Sequence, residues 1–187
     1  MGFEPIVKAA FAMSAFAFAV TAPAQSSQLA AFEATLAAHN SATEALRTWC
    51  EARGIASPAE IVARPVGGAP GKRPAGLRRL LGVGPREVLG YRHVELACDG
   101  HVLSSAHNWY VPGRLTPAMN AALAASHVPF GRVAAPLAYT RESLEVLAKP
   151  PRGCPANTIS AHRAVLRLPD GRPLAYVLEC YSTENLR

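Results

Sequence analysis

An arginine and a glutamate each stand among apolar residues in two short stretches of alternating pattern. Arg92 lies within Tyr91–Cys98, just before Asp99-Gly100, and Glu179 lies within Leu174–Tyr181, just after Asp170-Gly171. By two-residue periodicity Arg92 shares a face with Val94, Leu96 and Cys98, while Tyr91, His93 and Glu95 point the other way. A guanidinium on a dry face offers a planar fork of donors that matches a carboxylate in two bonds. A carboxylic acid on a dry face has its pKa raised, so Glu179 is expected to hold a proton near neutral pH and pass it to a leaving oxygen. Together the two would clamp an acid and protonate an ether. A buried structural ion pair between Arg92 and Glu179 is the alternative, and spacing alone leaves both open.

Both residues depend on hairpins for their placement. Asp-Gly between alternating apolar runs signals a type I′ turn, because both central residues need positive φ. The expected strand pairs are Glu87–Cys98 with His101–Val111, and Ile159–Leu168 with Arg172–Ser182. Two-residue loops would set Arg92 opposite His107 and Glu179 opposite His162. Two further strands are expected at Glu60–Val66 and Leu137–Leu147, the latter irregular at Thr140-Arg141-Glu142. Leu29, Phe32 and Leu36 have helical spacing in Gln28–His39. Ser41 with Glu44 reads as a capping box opening a second helix through Leu46, Trp49 and Cys50, with Gly54 beyond its end. Thr116-Pro117 opens another helix, and His127–Gly131 is a tight turn leading into a helical turn. These elements predict an α+β fold with one antiparallel sheet of about five or six strands, helices on one face and flaps over the ligand site.

The whole chain sets outer limits. Its 187 residues are 50% apolar and 17% charged, which fits one folded domain. Lys8, the apolar run Ala9–Val20 and Ala22-Pro23-Ala24 have the layout of a signal peptide. Residues 1–24 are therefore expected to be cleaved, leaving a domain of residues 25–187 in the periplasm or outside the cell; an uncleaved interfacial anchor is the alternative. The run is shorter than the roughly 20 residues of a membrane span. In an oxidising compartment Cys50, Cys98, Cys154 and Cys180 suggest one or two disulfides. Three connectivities are possible, and pairing strand with strand would join Cys98 to Cys180.

A net charge of +6 favours anionic partners. Lys72, Arg73, Arg78, Arg79 and Arg86 cluster in and after a Gly/Pro-rich loop, readable as a solvated loop or as an anion-binding patch. No nucleic-acid-binding signature accompanies them. The histidines lack metal-ligand spacing and no cysteine pair is spaced for zinc, so no metal is expected. No nucleophile elbow, phosphate loop or dinucleotide fingerprint is present, and Ser104, Ser105, Ser160 and Ser182 lack evident triad partners.

Across most of residues 25–187 the motifs resemble the chorismate pyruvate-lyase family, whose fold is similar to the effector domains of GntR-type regulators. Arg92–Gly100 resembles that family's arginine-bearing strand, and Trp109-Tyr110-Val111-Pro112 its strand end at V-x-P. Pro129-Phe130-Gly131 resembles P-L-G, Thr140-Arg141-Glu142 resembles T-R-D, and Asn40-Ser41-Ala42-Thr43 resembles D-S-M-T. Gly171-Arg172-Pro173-Leu174 followed by Glu179 resembles G-K-P-L and a following glutamate. The resemblance implies cofactor-free elimination of pyruvate from chorismate, giving 4-hydroxybenzoate, in a pocket closed by helical flaps. Arg92 would bind the ring carboxylate, Glu179 would assist departure of the enolpyruvyl oxygen, and Phe130 and Ala42 would line the site. Phe130 is bulkier than the family's leucine and Ala42 smaller than its methionine, which changes the pocket's shape. The family's enzyme and its chorismate supply are cytoplasmic. With an export signal the expected substrate is chorismate or a related cyclic enolpyruvyl or aromatic carboxylate, the carboxylate-binding architecture being the same. Two rival expectations are a non-catalytic module binding a small aromatic carboxylate, and an envelope interaction protein using the basic loop.

Overall fold

In the computed structural model, which describes residues 22–68, 71–125 and 127–187, both Asp-Gly turns form and set the frame of the molecule. In chain order the elements are α1 (Ala22–Ala37), α2 (Ala42–Ala52), β1 (Ile61–Pro65), α3 (Leu77–Leu80), β2 (Gly90–Cys98), β3 (His101–Tyr110), α4 (Pro117–Ala125), α5 (Phe130–Ala134), β4 (Thr140–Leu147), β5 (Thr158–Arg167) and β6 (Pro173–Ser182). The strands form one antiparallel sheet of six in the order β1-β2-β3-β6-β5-β4. The fold is α+β, as the alternating runs and turn signals predict. The apolar run expected to direct export lies outside the described residues.

The β2–β3 turn has φ +45° at Asp99 and +85° at Gly100, the left-handed pair that a type I′ turn requires. Its register departs from the simple count. Cys98 pairs with His101, but a bulge at Leu103 shifts the ladder, so Arg92 faces Asn108 and His107 faces His93. In the second hairpin Glu179 does face His162.

Helices α1 and α2 cover one face of the sheet. Phe32, Leu36, Leu46 and Trp49 pack there against Ile61, Val94, Leu96 and Tyr181. Helices α4 and α5 extend the same cover over Leu166, Ala175 and Val177. The opposite face carries Trp109, Val165, Tyr176 and Leu178 under α3 and two loops. Ser41 does precede α2, but its side chain makes no cap bond; Glu44 turns instead to Arg47 Nε at 3.0 Å. At the start of α4, by contrast, the Met119 amide donates to Thr116 Oγ1 at 3.2 Å.

The disulfides are Cys50–Cys98 and Cys154–Cys180, which corrects the strand-with-strand expectation. The reason is the sheet's two faces. Cys98 packs on the helix side with α2, whereas Cys180 packs on the opposite side, so a bond between them would have to cross the sheet. Each strand cysteine bonds instead to the element covering its own face.

Candidate active or ligand site on the helix face

The segment 40–43 leading into α2, the first residues of α5 and the start of β4 converge over the sheet's centre. They enclose a cavity of about 30 Å³, floored by Val94, Ala106, Asn108 and Val177, with Glu179 at its edge. That is room for a single water, too little for a six-membered ring. Beside it, a cleft of about 250 Å³ opens between α1 and β4, lined by Glu33, His39, Ser143 and His162. Asn40 and Arg141 line both spaces and so form the partition between them.

Ala42, Phe130 and Glu179 all line this cavity. Phe130 gets there because Pro129 is extended at ψ 147° and starts α5, which turns the ring inward against Tyr110. Gly131 follows for a steric reason: a Cβ there would stand 2.5 Å from Ser41 Oγ and 3.0 Å from Thr43 Oγ1. Only glycine lets α2 and α5 approach this closely.

Glu179 is buried, but its charged partner is Arg141. Arg141 Nη2 donates to Glu179 Oε2 at 2.6 Å, and Tyr181 Oη donates to the same oxygen at 3.0 Å. Burial pulls the Arg141 guanidinium down, but Glu179 and the neighbouring tyrosines outweigh it and hold Arg141 above its ordinary range. Burial and the adjacent carboxylate push the Tyr181 phenol far up, so it stays a donor. Burial likewise raises the Tyr139 phenol, which sits by Ser41. Among the described residues Arg141 Nε and Nη1 make no hydrogen bond, so part of its fork is open.

Arg92 lies on the same face as Glu179 but not beside it. The two are separated by β3, two strand spacings or about 10 Å, and by two residues along the ladder. Arg92 Nη1 donates to the Val128 carbonyl at 2.8 Å, in the loop that delivers Phe130. Its side chain lines a separate cleft of about 390 Å³ with Tyr91, Tyr110 and Leu123. Burial lowers the Arg92 pKa, partly offset by Tyr110. Neither a direct Arg92–Glu179 pair nor a shared cavity wall is found.

Arg141 is the residue that sequence reasoning passed over. Its strand opens Thr-Arg-Glu-Ser and its apolar residues Leu144 and Val146 are exposed, so no apolar run marks Arg141 as facing inward. The available signal was the alternation Tyr139, Arg141, Ser143, which sets the three on the inner side. His162, opposite Glu179, is taken by Glu33 Oε2 at 2.8 Å; burial raises the Glu33 carboxyl, but the bonds from His162 and Ser160 prevail and leave it lowered. No trio of His, Cys, Asp or Glu among the described residues is placed to hold a metal ion. No described helix is long and apolar enough to cross a membrane.

The chain is similar in sequence to the uncharacterized protein y4mC of Sinorhizobium fredii (strain NBRC 101917 / NGR234). The two are 40% identical over 177 residues, covering 84% of this chain and 75% of that protein. No family model matches the chain. Among solved structures, the effector domain of PhnF from Mycobacterium smegmatis superposes with a TM-score of 0.55 at 15% identity, covering 76% of this chain and 88% of that one. Full PhnF from the same organism gives a TM-score of 0.56 at 15% identity, over 80% of this chain and 66% of PhnF. The fold is thus similar to that of the PhnF effector domain.

Proposed function

Since the chain belongs to the family of the Sinorhizobium fredii protein y4mC, whose name assigns no chemistry, we propose from the site itself that it binds a small carboxylate without turning it over. One observation carries this reading. Arg141 stands between the enclosed cavity and the open cleft with two of its donor nitrogens uncommitted, and Glu179 fixes its third. A guanidinium held that way is a preorganised receptor for a carboxylate. Displacement of Asn40 and the Arg141 side chain, which partition the two spaces, would join them and make room for a ring, and Asn108, Ser41 and Tyr139 would supply the remaining polar contacts. Arg92 acts at one remove, as a positioning residue for the loop before Phe130.

Lyase chemistry is the second reading. It is favoured by the meeting of Ala42, Phe130 and Glu179 around one cavity, the arrangement that the resemblance to chorismate pyruvate-lyases implies. Against it, Glu179 has two donors directed at one oxygen and no open path to a leaving group. Both readings are tested on the chain without residues 1–24. With 4-hydroxybenzoate at a hundred times its dissociation constant, binding adds about 2.7 kcal/mol of stability, a rise of roughly 5–10 °C in Tm for a chain of this size. That rise is expected to shrink in Asn108→Ala and Arg141→Lys. Incubation with chorismate is expected to release no pyruvate. Pyruvate formation abolished by Glu179→Gln would establish the lyase instead, and no Tm rise with any small aromatic carboxylate would remove the binding reading.

A further inference from the structure

The sheet's other face carries a site that the helix-side cavity does not use. Residues pointing away from the helices on β2, β3 and β6 form a ladder of rings. His93 and His107 stack at 3.9 Å between centroids, His107 and Trp109 at 5.7 Å, and Trp109 meets Tyr176 at 5.8 Å. The ladder is fixed by hydrogen bonds. Tyr91 Oη donates to His107 Nδ1 at 2.8 Å, and His107 Nε2 donates to the Gly153 carbonyl at 3.1 Å, which sets one neutral tautomer. Two loops stand over it. The first touches down at Gly71, where a Cβ would lie 2.6 Å from Tyr91 Oη, so the backbone itself rests on the ring. The second is tied down by Cys154–Cys180.

Between these loops lies a groove of about 550 Å³, floored by Trp109, Tyr176 and Leu178. Lys72 and Arg73 line one wall and Arg152 the other, all exposed and in no ion pair among the described residues. Arg163, also in the wall, is neutralised by Glu145 at 2.6 Å. Burial depresses both His93 and His107, so the uncompensated charge comes from the three loop cations.

We propose that this groove is a second binding site, for a planar aromatic anion of one or two rings. The floor offers ring faces for stacking, and the walls place three cations at its edges with no acid to cancel them. The volume of about 550 Å³ falls in the range of small-molecule sites, which suits a discrete ligand. The site is independent of the helix-side reading, since the sheet separates the two.

The test is calorimetric titration of the chain lacking residues 1–24 with naphthalene-2-sulfonate, with variants on each face of the sheet to say which site it occupies. The expected result is one-to-one binding that weakens with added salt and exceeds the affinity for neutral 2-naphthol at least tenfold. The exposed triple variant Lys72→Ala/Arg73→Ala/Arg152→Ala should lose at least tenfold in affinity and most of the salt dependence. Trp109→Leu should also weaken binding, while Ser41→Ala, across the sheet, should leave it unchanged. Absence of saturable binding, equal affinity for 2-naphthol, or an unaffected triple variant would each overturn the assignment. Tighter binding of a thymidine dodecamer would reassign the groove to single-stranded nucleic acid.

Discussion

Two donors converge on one oxygen of Glu179, and this governs what its replacement should do. In Glu179→Gln the Arg141 guanidinium stays in the interior without its counter-charge, and such unpaired burial costs about 3–5 kcal/mol. Removing both charges, as Glu179→Leu with Arg141→Met, is expected to cost far less, because no ion is left behind. Urea unfolding of the two variants separates these outcomes. A second expectation at this scale concerns the stacked histidines. Burial, with a contribution from His107, lowers His93 to about 4, and burial lowers His107 as well. The unfolded imidazoles bind protons below their ordinary value of about 6.5, while the folded ones resist. Stability from this pair is therefore complete above about pH 6.5 and is lost as pH falls toward 4. Tm measured from pH 7.5 to 4.5 should decline, and His93→Gln should flatten that decline.

The lid over the helix-side cavity turns on Gly131, where α5 meets the start of α2. In Gly131→Ala the added methyl meets Ser41 Oγ, so the two elements must part or the serine must rotate. Overpacking of this kind costs about 1–3 kcal/mol, and here it acts on closure. Affinity for a carboxylate in the helix-side cavity is expected to fall more than overall stability, read by titration and melting of the same variant. Unequal legibility of the elements has local causes. Both hairpins were readable because Asp99-Gly100 and Asp170-Gly171 mark where the chain reverses. Only the first is the left-handed pair of a type I′ turn; in the second Gly171 alone has positive φ and the loop closes between Leu168 and Arg172 over three residues. The Arg92 partner was not readable, because the Leu103 bulge leaves no mark in an apolar run and moves every later pair by one. Ala42, Phe130 and Glu179 were brought to one place by their elements, but Arg141 was hidden in the polar first half of an edge strand. The disulfides were misassigned because element type says nothing of which sheet face a cysteine occupies.

At the scale of the whole molecule, each disulfide fastens the cover of one face. Cys50–Cys98 ties α2 to the end of β2, and Cys154–Cys180 ties the Arg152 loop to β6. Chain-entropy reasoning gives about 4 kcal/mol for the 48-residue separation and about 3.5 kcal/mol for the 26-residue one. For a domain of this size each kcal/mol moves Tm by roughly 2–4 °C, so reduction of both should lower it by on the order of 15 °C or more. The loss should divide by face. Cys154→Ser with Cys180→Ser frees the loop that carries Arg152 and should weaken the aromatic-anion groove while sparing the helix-side cavity, whereas Cys50→Ser with Cys98→Ser should do the reverse. A chain so dependent on oxidation suits an oxidising compartment, the destination expected from residues 1–24. Produced in bacteria with those residues in place, the protein is expected in the periplasmic fraction, shortened at its N-terminus and without free thiols. Recovery from the cytosol at full length with four titratable thiols would count against export, and the melting comparison would then measure how far the fold stands without its bridges.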